Sequence, residues 1–173
     1  MSSVESSDPI RGQLRLRSHF GLRNAGIAAY ALAVSKKSNR IASLIESYRG
    51  SDLDAHYLAY FECFNRGLFY EAHDVLEELW LADRRGANGA FYKGLIQLAG
   101  AFVHLQKGRL RPAGALLKLG RDNLRNYPGV HERLDVTQAL SVIEDWLTRL
   151  ERTNYSENPL TPETSPKLTL APA

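Results

Sequence analysis

Residues 69–80, FYEAHDVLEELW, place one histidine and four carboxylates within about three helical turns. At 100° of rotation per residue, His73 falls at the edge of the apolar face beside Trp80, and Glu77 follows one turn later, within its reach. The same count places Asp74 on the side away from the core, where we expect it in solvent. Imidazoles and carboxylates bind zinc and transfer protons in enzymes. The alternative is a helix with a solvated acidic back and one boundary histidine.

A second polar stripe lies in the stretch FYKGLIQLAGAFVHLQ. Gln97, Gly100 and His104 follow one another at spacings of three and four, so they share one face of a helix. The other residues are mostly apolar, which predicts a buried central helix. Its polar groups then need partners, because an unpaired buried polar group costs about 1–3 kcal/mol.

The two stripes predict a polar cluster between the second and third helices, which a short loop should pack antiparallel. His73 with Glu71 or Glu77 would face Gln97 and His104. The cluster is either a satisfied core network or a catalytic or metal-binding pocket. As a pocket, His73, Glu77 and His104 would hold a divalent metal such as zinc and leave a fourth position open. Glu71 would act as base or orient a ligand, and Gln97 would orient water or substrate.

The elements that must position these residues are helices. The sequence predicts an all-α fold, a compact bundle of about five helices with flexible N- and C-terminal segments. The helices are expected at about 53–65, 68–82, 87–106, 112–126 and 132–151, with no strand and no internal repeat. Ser51 and Asp52 are the candidate N-caps of the first helix, and Gly67 suits its left-handed C-terminal position.

The chain divides into three segments by composition. Residues 1–40 are predicted to form a basic, partly disordered arm, residues 41–151 the helical domain, and residues 152–173 a disordered tail rich in Pro, Thr and Ser. Residues 10–45 contain seven Arg or Lys and no acidic residue, which suits either a basic arm or a targeting segment. The location predicted is the cytoplasm, or an organelle if the segment is a targeting signal.

The overall composition is that of a soluble globular protein, with 173 residues, 44% hydrophobic and 24% charged, and a net charge of +3. No apolar run approaches the roughly 20 residues that span a bilayer, so no membrane partner is expected. The single cysteine, Cys63, excludes an internal disulfide and any multi-cysteine metal site. A buried structural thiol is expected there.

A basic face is predicted on the fourth helix, where Lys118, Arg121 and Arg125 recur at spacings of three and four. A solvated face is the simpler reading, since no recognition motif accompanies it, and the sequence argues against nucleic acid. The alternative function is a non-enzymatic helical module that binds a protein or nucleic-acid partner through this face.

The stretches CFNRGLFYEAHDVLEELW and FYKGLIQLAGAFVHLQKGRLRPAGALL resemble domain-of-unknown-function family 309, over about residues 54–150. The positions that carry the resemblance are Phe64, Asn65, Gly67, Glu71, Ala72, His73, Leu76, Glu77, Trp80, Gly94, Leu95, Ile96, Gln97 and His104. Asp74 departs from the family pattern, which has a glutamate there, so a potential ligand is shorter. The resemblance implies a compact helical bundle and a metal-dependent hydrolase, the label given to a family whose function is not established. A small-molecule substrate and a homo-oligomer remain open.

Overall fold

A computed structural model describes residue 39 and residues 41–172. In this part of the chain a short helical segment at 41–47 precedes five longer helices. They are α1 (Ala55–Asn65), α2 (Phe69–Ala82), α3 (Gly89–Gln106), α4 (Leu110–Leu124) and α5 (Val136–Arg152). Two short strands, β1 (Val130–His131) and β2 (Leu134–Asp135), pair antiparallel between α4 and α5. The predicted all-α bundle is confirmed, while the predicted arm at 1–40 lies outside the described residues, apart from residue 39.

None of the described helices is long and apolar enough to cross a bilayer.

The hairpin before α5 is a feature that the sequence analysis missed. Each strand is two residues long, too short for the alternation that identifies strands. Glu132 and Arg133 form the turn with φ of 47° and 60°, a conformation that glycine and asparagine usually supply. Because neither residue is present, the sequence carries no turn signal, and α5 begins at Val136 rather than near residue 132.

The N-terminus of α1 also differs from the prediction. The N-cap is Asp54, whose carboxylate accepts a hydrogen bond from the backbone N–H of His56 at 2.7 Å. The expected caps, Ser51 and Asp52, lie before the helix. At the other end Gly67 has a φ of 73° and donates its N–H to Phe64 O at 3.0 Å, as the predicted left-handed C-terminal position requires.

Helix α3 is the central helix of the bundle, as predicted. Most of its residues are buried. Its Phe102 ring packs against Phe64 of α1, Phe69 of α2 and Trp146 of α5, with ring centroids 5.6, 4.9 and 4.8 Å apart. The hydroxyl of the fully buried Tyr60 in α1 donates to Leu95 O in α3 at 2.9 Å. Helices from both sides therefore bury their apolar faces on α3.

Two facing glycines, Gly94 of α3 and Gly120 of α4, bring the backbones of these helices close together. A Cβ atom added at Gly94 would lie 3.2 Å from Gly120 O and 2.8 Å from Leu124 Cγ. One added at Gly120 would lie 3.1 Å from Gly94 O. The two backbones thus cross with too little room for a Cβ atom at Gly94 and a tight fit for one at Gly120.

The C-terminal segment differs from the predicted disordered tail. Leu168 is fully buried, and Asn158 donates its side-chain amide to Leu105 O at 2.8 Å. Composition alone misses this because a few specific contacts hold a segment that is otherwise rich in Pro, Thr and Ser.

The glycine crossing predicts a difference between two alanine substitutions. Gly94→Ala should destabilise the fold by about 1–3 kcal/mol, because its new methyl group would press on a backbone carbonyl and a packed leucine. Gly100→Ala should cost less or stabilise, since its nearest neighbour is the movable Leu116 Cδ1 at 3.2 Å and alanine favours helix. Urea midpoints measure both, and equal losses for the two variants would contradict the crossing.

Candidate functional site

Three potential metal ligands come together on α2. The donor atoms of His73, Asp74 and Glu77 all lie within 4.8 Å of one another, and each residue is partly buried. His73 Nδ1 lies 3.3 Å from Asp74 Oδ1. In the part of the chain that the structure describes, this is the only group of three or more His, Cys, Asp or Glu with such a spacing. Cys63 is buried in α1, as predicted.

The packing of α2 turns His73 towards α3. Ala72, Val75 and Leu76 are fully buried, which places the histidine at the edge of the buried face. A Cβ atom added at Gly100 of α3 would lie 3.7 Å from His73 Cδ2, an ordinary van der Waals distance, so the imidazole packs beside this glycine. The ring reaches the third helix, as the angular count predicts.

Asp74 does not point away into solvent as expected. Its side chain is 38% exposed and its carboxylate approaches the imidazole of the preceding residue, His73. Neighbouring side chains leave a helix about 100° apart, but a short carboxylate can turn back towards the ring beside it. The family 309 pattern has a carboxylate residue directly after its histidine, and this was the sequence signal that position 74 belongs beside the ring.

His104 is not part of the group, although it is one of the three predicted ligands. Helices α2 and α3 are antiparallel, since Phe69 packs on Phe102 and His73 lies at Gly100. A step of four residues forward on α2 leads to Glu77, whereas the same step on α3 leads about 6 Å in the opposite direction, to His104. The imidazole of His73 therefore lies between the levels of the other two side chains.

His104 is instead a partly buried histidine on α3. Its Nδ1 atom is buried and has no hydrogen-bond partner among the described residues. Burial lowers the pKa of His104 below its ordinary range, and the positive charges of Arg109 and Lys107 lower it further. The sequence predicted that polar groups on α3 need partners, and the Nδ1 atom of His104 is one that lacks a partner.

Gln97 and Glu71 also lie outside the three-donor group. The side-chain oxygen of Gln97 accepts a hydrogen bond from Asn123 Nδ2 of α4 at 2.7 Å, so this amide links α3 to α4. Glu71 is partly buried in the first turn of α2. It precedes Asp74 by three residues, which puts the two carboxylates on the same flank of the helix.

The predicted basic face is largely paired within the bundle. Lys118 Nζ lies 2.9 Å from Glu151 Oε1, and Arg121 Nη1 lies 3.2 Å from Glu144 Oε1, both on α5. Arg125 Nη1 lies 3.4 Å from Asp122 Oδ1. These three cations therefore present little uncompensated positive charge to an acidic partner.

The comparison with known families bears on the whole α2–α3 region. Residues 57–116 match the family described as "Domain of unknown function (DUF309)". The resemblance is confirmed over this segment. The part that matches DUF309 contains every candidate residue of the site, while α5 and the C-terminal segment lie beyond it.

One relative of the chain is an uncharacterized protein of Aquifex aeolicus (strain VF5), 27% identical over 140 residues. The alignment covers 79% of this chain and 40% of the relative, so the chain spans less than half of that protein's length. No solved structure shows significant similarity to the chain.

The amide pair between α3 and α4 predicts a measurable coupling. Gln97→Ala should destabilise the protein by about 1 kcal/mol, because the amide of Asn123 loses its partner. A double-mutant cycle with Asn123→Ala should give a coupling free energy of about 0.5–1 kcal/mol from urea unfolding. Additive losses would show that the two side chains act independently.

The lowered pKa of His104 predicts a pH dependence. The unfolded chain takes up a proton near pH 6.5, whereas the folded chain does so only at lower pH. The contribution of neutral His104 to the free energy of unfolding should therefore be fully present above about pH 7. It should be lost as the pH falls below about 6.5. His104→Gln should lose less stability than wild type between about pH 7.5 and pH 5.5. Identical urea-midpoint profiles would contradict the assignment.

Proposed function

We propose that the chain binds a divalent metal ion through His73, Asp74 and Glu77 and uses it to hydrolyse a small-molecule substrate. The observation that supports this is the convergence of one imidazole and two carboxylates, with donor atoms within 4.8 Å of one another. The proposal keeps two of the ligands that the sequence suggests, and Asp74 takes the place of His104.

One donor separation in the group supports the proposal. Zinc binds nitrogen and oxygen ligands at about 2.1 Å in a tetrahedral arrangement, which separates the donor atoms by about 3.4 Å. The separation of His73 Nδ1 and Asp74 Oδ1 is 3.3 Å. Rotation about the flexible side chain of Glu77 would bring the third donor to a similar distance. One nitrogen and two oxygens suit zinc, and manganese accepts the same donors.

Three protein ligands on one helix would leave a position open for water. A bound metal would lower the pKa of that water to near 7, where hydroxide is available as a nucleophile. The exposed fractions of His73 and Asp74, 32% and 38%, leave a small substrate room to approach.

Two further residues have proposed roles. Glu71 is on the same flank as Asp74 and outside the ligand group, so it is our candidate base. Gln97 already holds Asn123 through its side-chain oxygen, so only its amide N–H groups could orient water or substrate. Neither role depends on the unmatched C-terminal part of the chain.

The proposal predicts that metal binding depends on these three side chains. His73→Gln and Glu77→Gln should each weaken Zn²⁺ binding by at least about 10-fold. Replacing a residue that only supports a metal ligand already costs about 10–100-fold in affinity. The variants should stay folded, because both positions are partly exposed. Isothermal titration with Zn²⁺ and Mn²⁺, on protein purified without a metal-binding tag, gives the affinities.

A matched control is His56, a second histidine between two carboxylates. Its ring nitrogens lie 3.2 Å from Asp54 Oδ1 and 3.6 Å from Glu78 Oε2, and its side chain is 30% exposed. His56→Gln should leave the affinity unchanged. Equal losses in the two histidine variants, or no stoichiometric binding by the unmodified protein, would reject the site.

A further inference from the structure

The C-terminal segment has the side-chain alternation of a bound extended peptide. Pro166 and Leu168 are buried and Leu170 packs partly buried against the core, whereas Lys167 and Thr169 are exposed. Period-two alternation is the pattern of a strand with one face on a protein surface. This segment lies outside the part of the chain that matches DUF309.

Asn65 recognises the main chain of this segment. Its side-chain amide donates to Leu168 O at 2.7 Å and accepts from Leu168 N–H at 2.8 Å. One side chain thus satisfies both backbone groups of a residue whose own side chain is fully buried. Asn65 thus forms the same pair of hydrogen bonds to an extended backbone that a residue of a neighbouring strand would form.

The hairpin continues this recognition towards the C-terminus. Leu170 forms an antiparallel bridge with Leu134 of β2. Ala171 N–H donates to Arg133 O at 2.8 Å, and Arg133 Nε donates to Ala171 O at 2.6 Å. The segment therefore adds to the hairpin edge, a common mode of peptide binding.

A basic residue completes the pattern. The Lys167 ammonium donates to Asn65 O, the carbonyl of the last residue of α1. Cations are favoured at helix C-termini, where the helix dipole is negative. A ligand for this surface therefore has an apolar residue, a lysine, a leucine, any residue and a second leucine.

The chain immediately before the segment is exposed to solvent. Residues 161–164 are exposed, and Thr161 and Thr164 hydrogen-bond to each other. Asn158 and Leu160 hold the first part of the connection to the bundle, so residues 161–164 are the short link that keeps the segment beside the hairpin, at an effective concentration on the order of 1 mM.

We propose that Asn65, Arg133 and Leu134 form a docking groove for extended peptides, which residues 165–171 occupy in cis. The partner that fits is a second copy of this chain, because its segment has the sequence seen to fill the groove. Exchange between copies is suppressed while the tethered segment competes, and it occurs when that segment is released.

Complementation between two full-length variants tests this. Leu168→Asp cannot seat its own segment, because a carboxylate would enter a fully buried position, and its groove is open. Asn65→Ala keeps a normal segment but has a damaged groove. Sedimentation velocity should find each variant monomeric alone and a one-to-one complex in the mixture, at concentrations up to about 1 mM.

The control is Thr169→Asp, which adds the same charge at the adjacent exposed position. It should keep its own segment seated and form no complex with Asn65→Ala. Folded Leu168→Asp and Asn65→Ala that do not associate would overturn the proposal, as would equal complex formation by Thr169→Asp.

A second experiment covers the case in which Leu168→Asp does not fold. A protease site inserted between Pro162 and Glu163 in the full chain allows the segment to be cut free. The cut protein should stay folded and take up a fluorescent peptide of residues 164–172 at least tenfold better than uncut protein, by fluorescence anisotropy. Unfolding on cleavage would show that the segment is an integral part of the core, and a folded cut protein without uptake would show that there is no docking groove. Either result overturns the proposal.

Discussion

The crossing of α3 and α4 at Gly94 and Gly120 is the contact on which the rest of the bundle depends. Each glycine lies against the other's backbone carbonyl, so a Cβ atom at either position would be crowded. This brings α4 against one side of α3 and leaves the other sides for the aromatic residues of α1, α2 and α5. Phe102 then contacts three of these helices at once. Because most of α3 is buried, its partly buried polar side chains, Gln97 and His104, depend on the neighbouring helices for hydrogen-bond partners.

The candidate site lies where this enclosure ends. The imidazole of His73 packs beside Gly100 of α3, and α2 presents its histidine and two carboxylates at the boundary between core and solvent. All three donors belong to one helix, and their spacing follows from helical geometry with little contribution from loops. Two polar side chains of α3, two turns apart, differ in their pairing. Gln97 is hydrogen-bonded to Asn123, whereas Nδ1 of His104 has no partner among the described residues.

Helical periodicity predicts most of the fold, because long amphipathic segments and a C-terminal glycine such as Gly67 are local signals. It also predicts that His73 reaches α3. It does not predict which helix the glycines of α3 approach, since that depends on the facing glycine, Gly120, which is distant in sequence. The hairpin turn at Glu132 and Arg133 was not predicted, because neither turn residue is a glycine or an asparagine.

The third donor and the C-terminal segment were missed for related reasons. Angular counting gives the direction in which a side chain leaves the helix, but Asp74 turns back towards its neighbour. Composition marks residues 152–173 as disordered because it averages over the segment. The hydrogen bonds between Asn65 and Leu168, and the burial of the Leu168 side chain, hold the segment on the bundle. Composition cannot predict this pairing, because the two residues are far apart in the chain.

Anomalous diffraction at the zinc absorption edge, from crystals of the zinc-loaded protein, tests the central claim most directly. The account predicts one strong peak with His73 Nδ1 and the carboxylate oxygens of Asp74 and Glu77 at about 2.0–2.2 Å. A peak at His56, at His104 or at a lattice contact, with none beside His73, would contradict it.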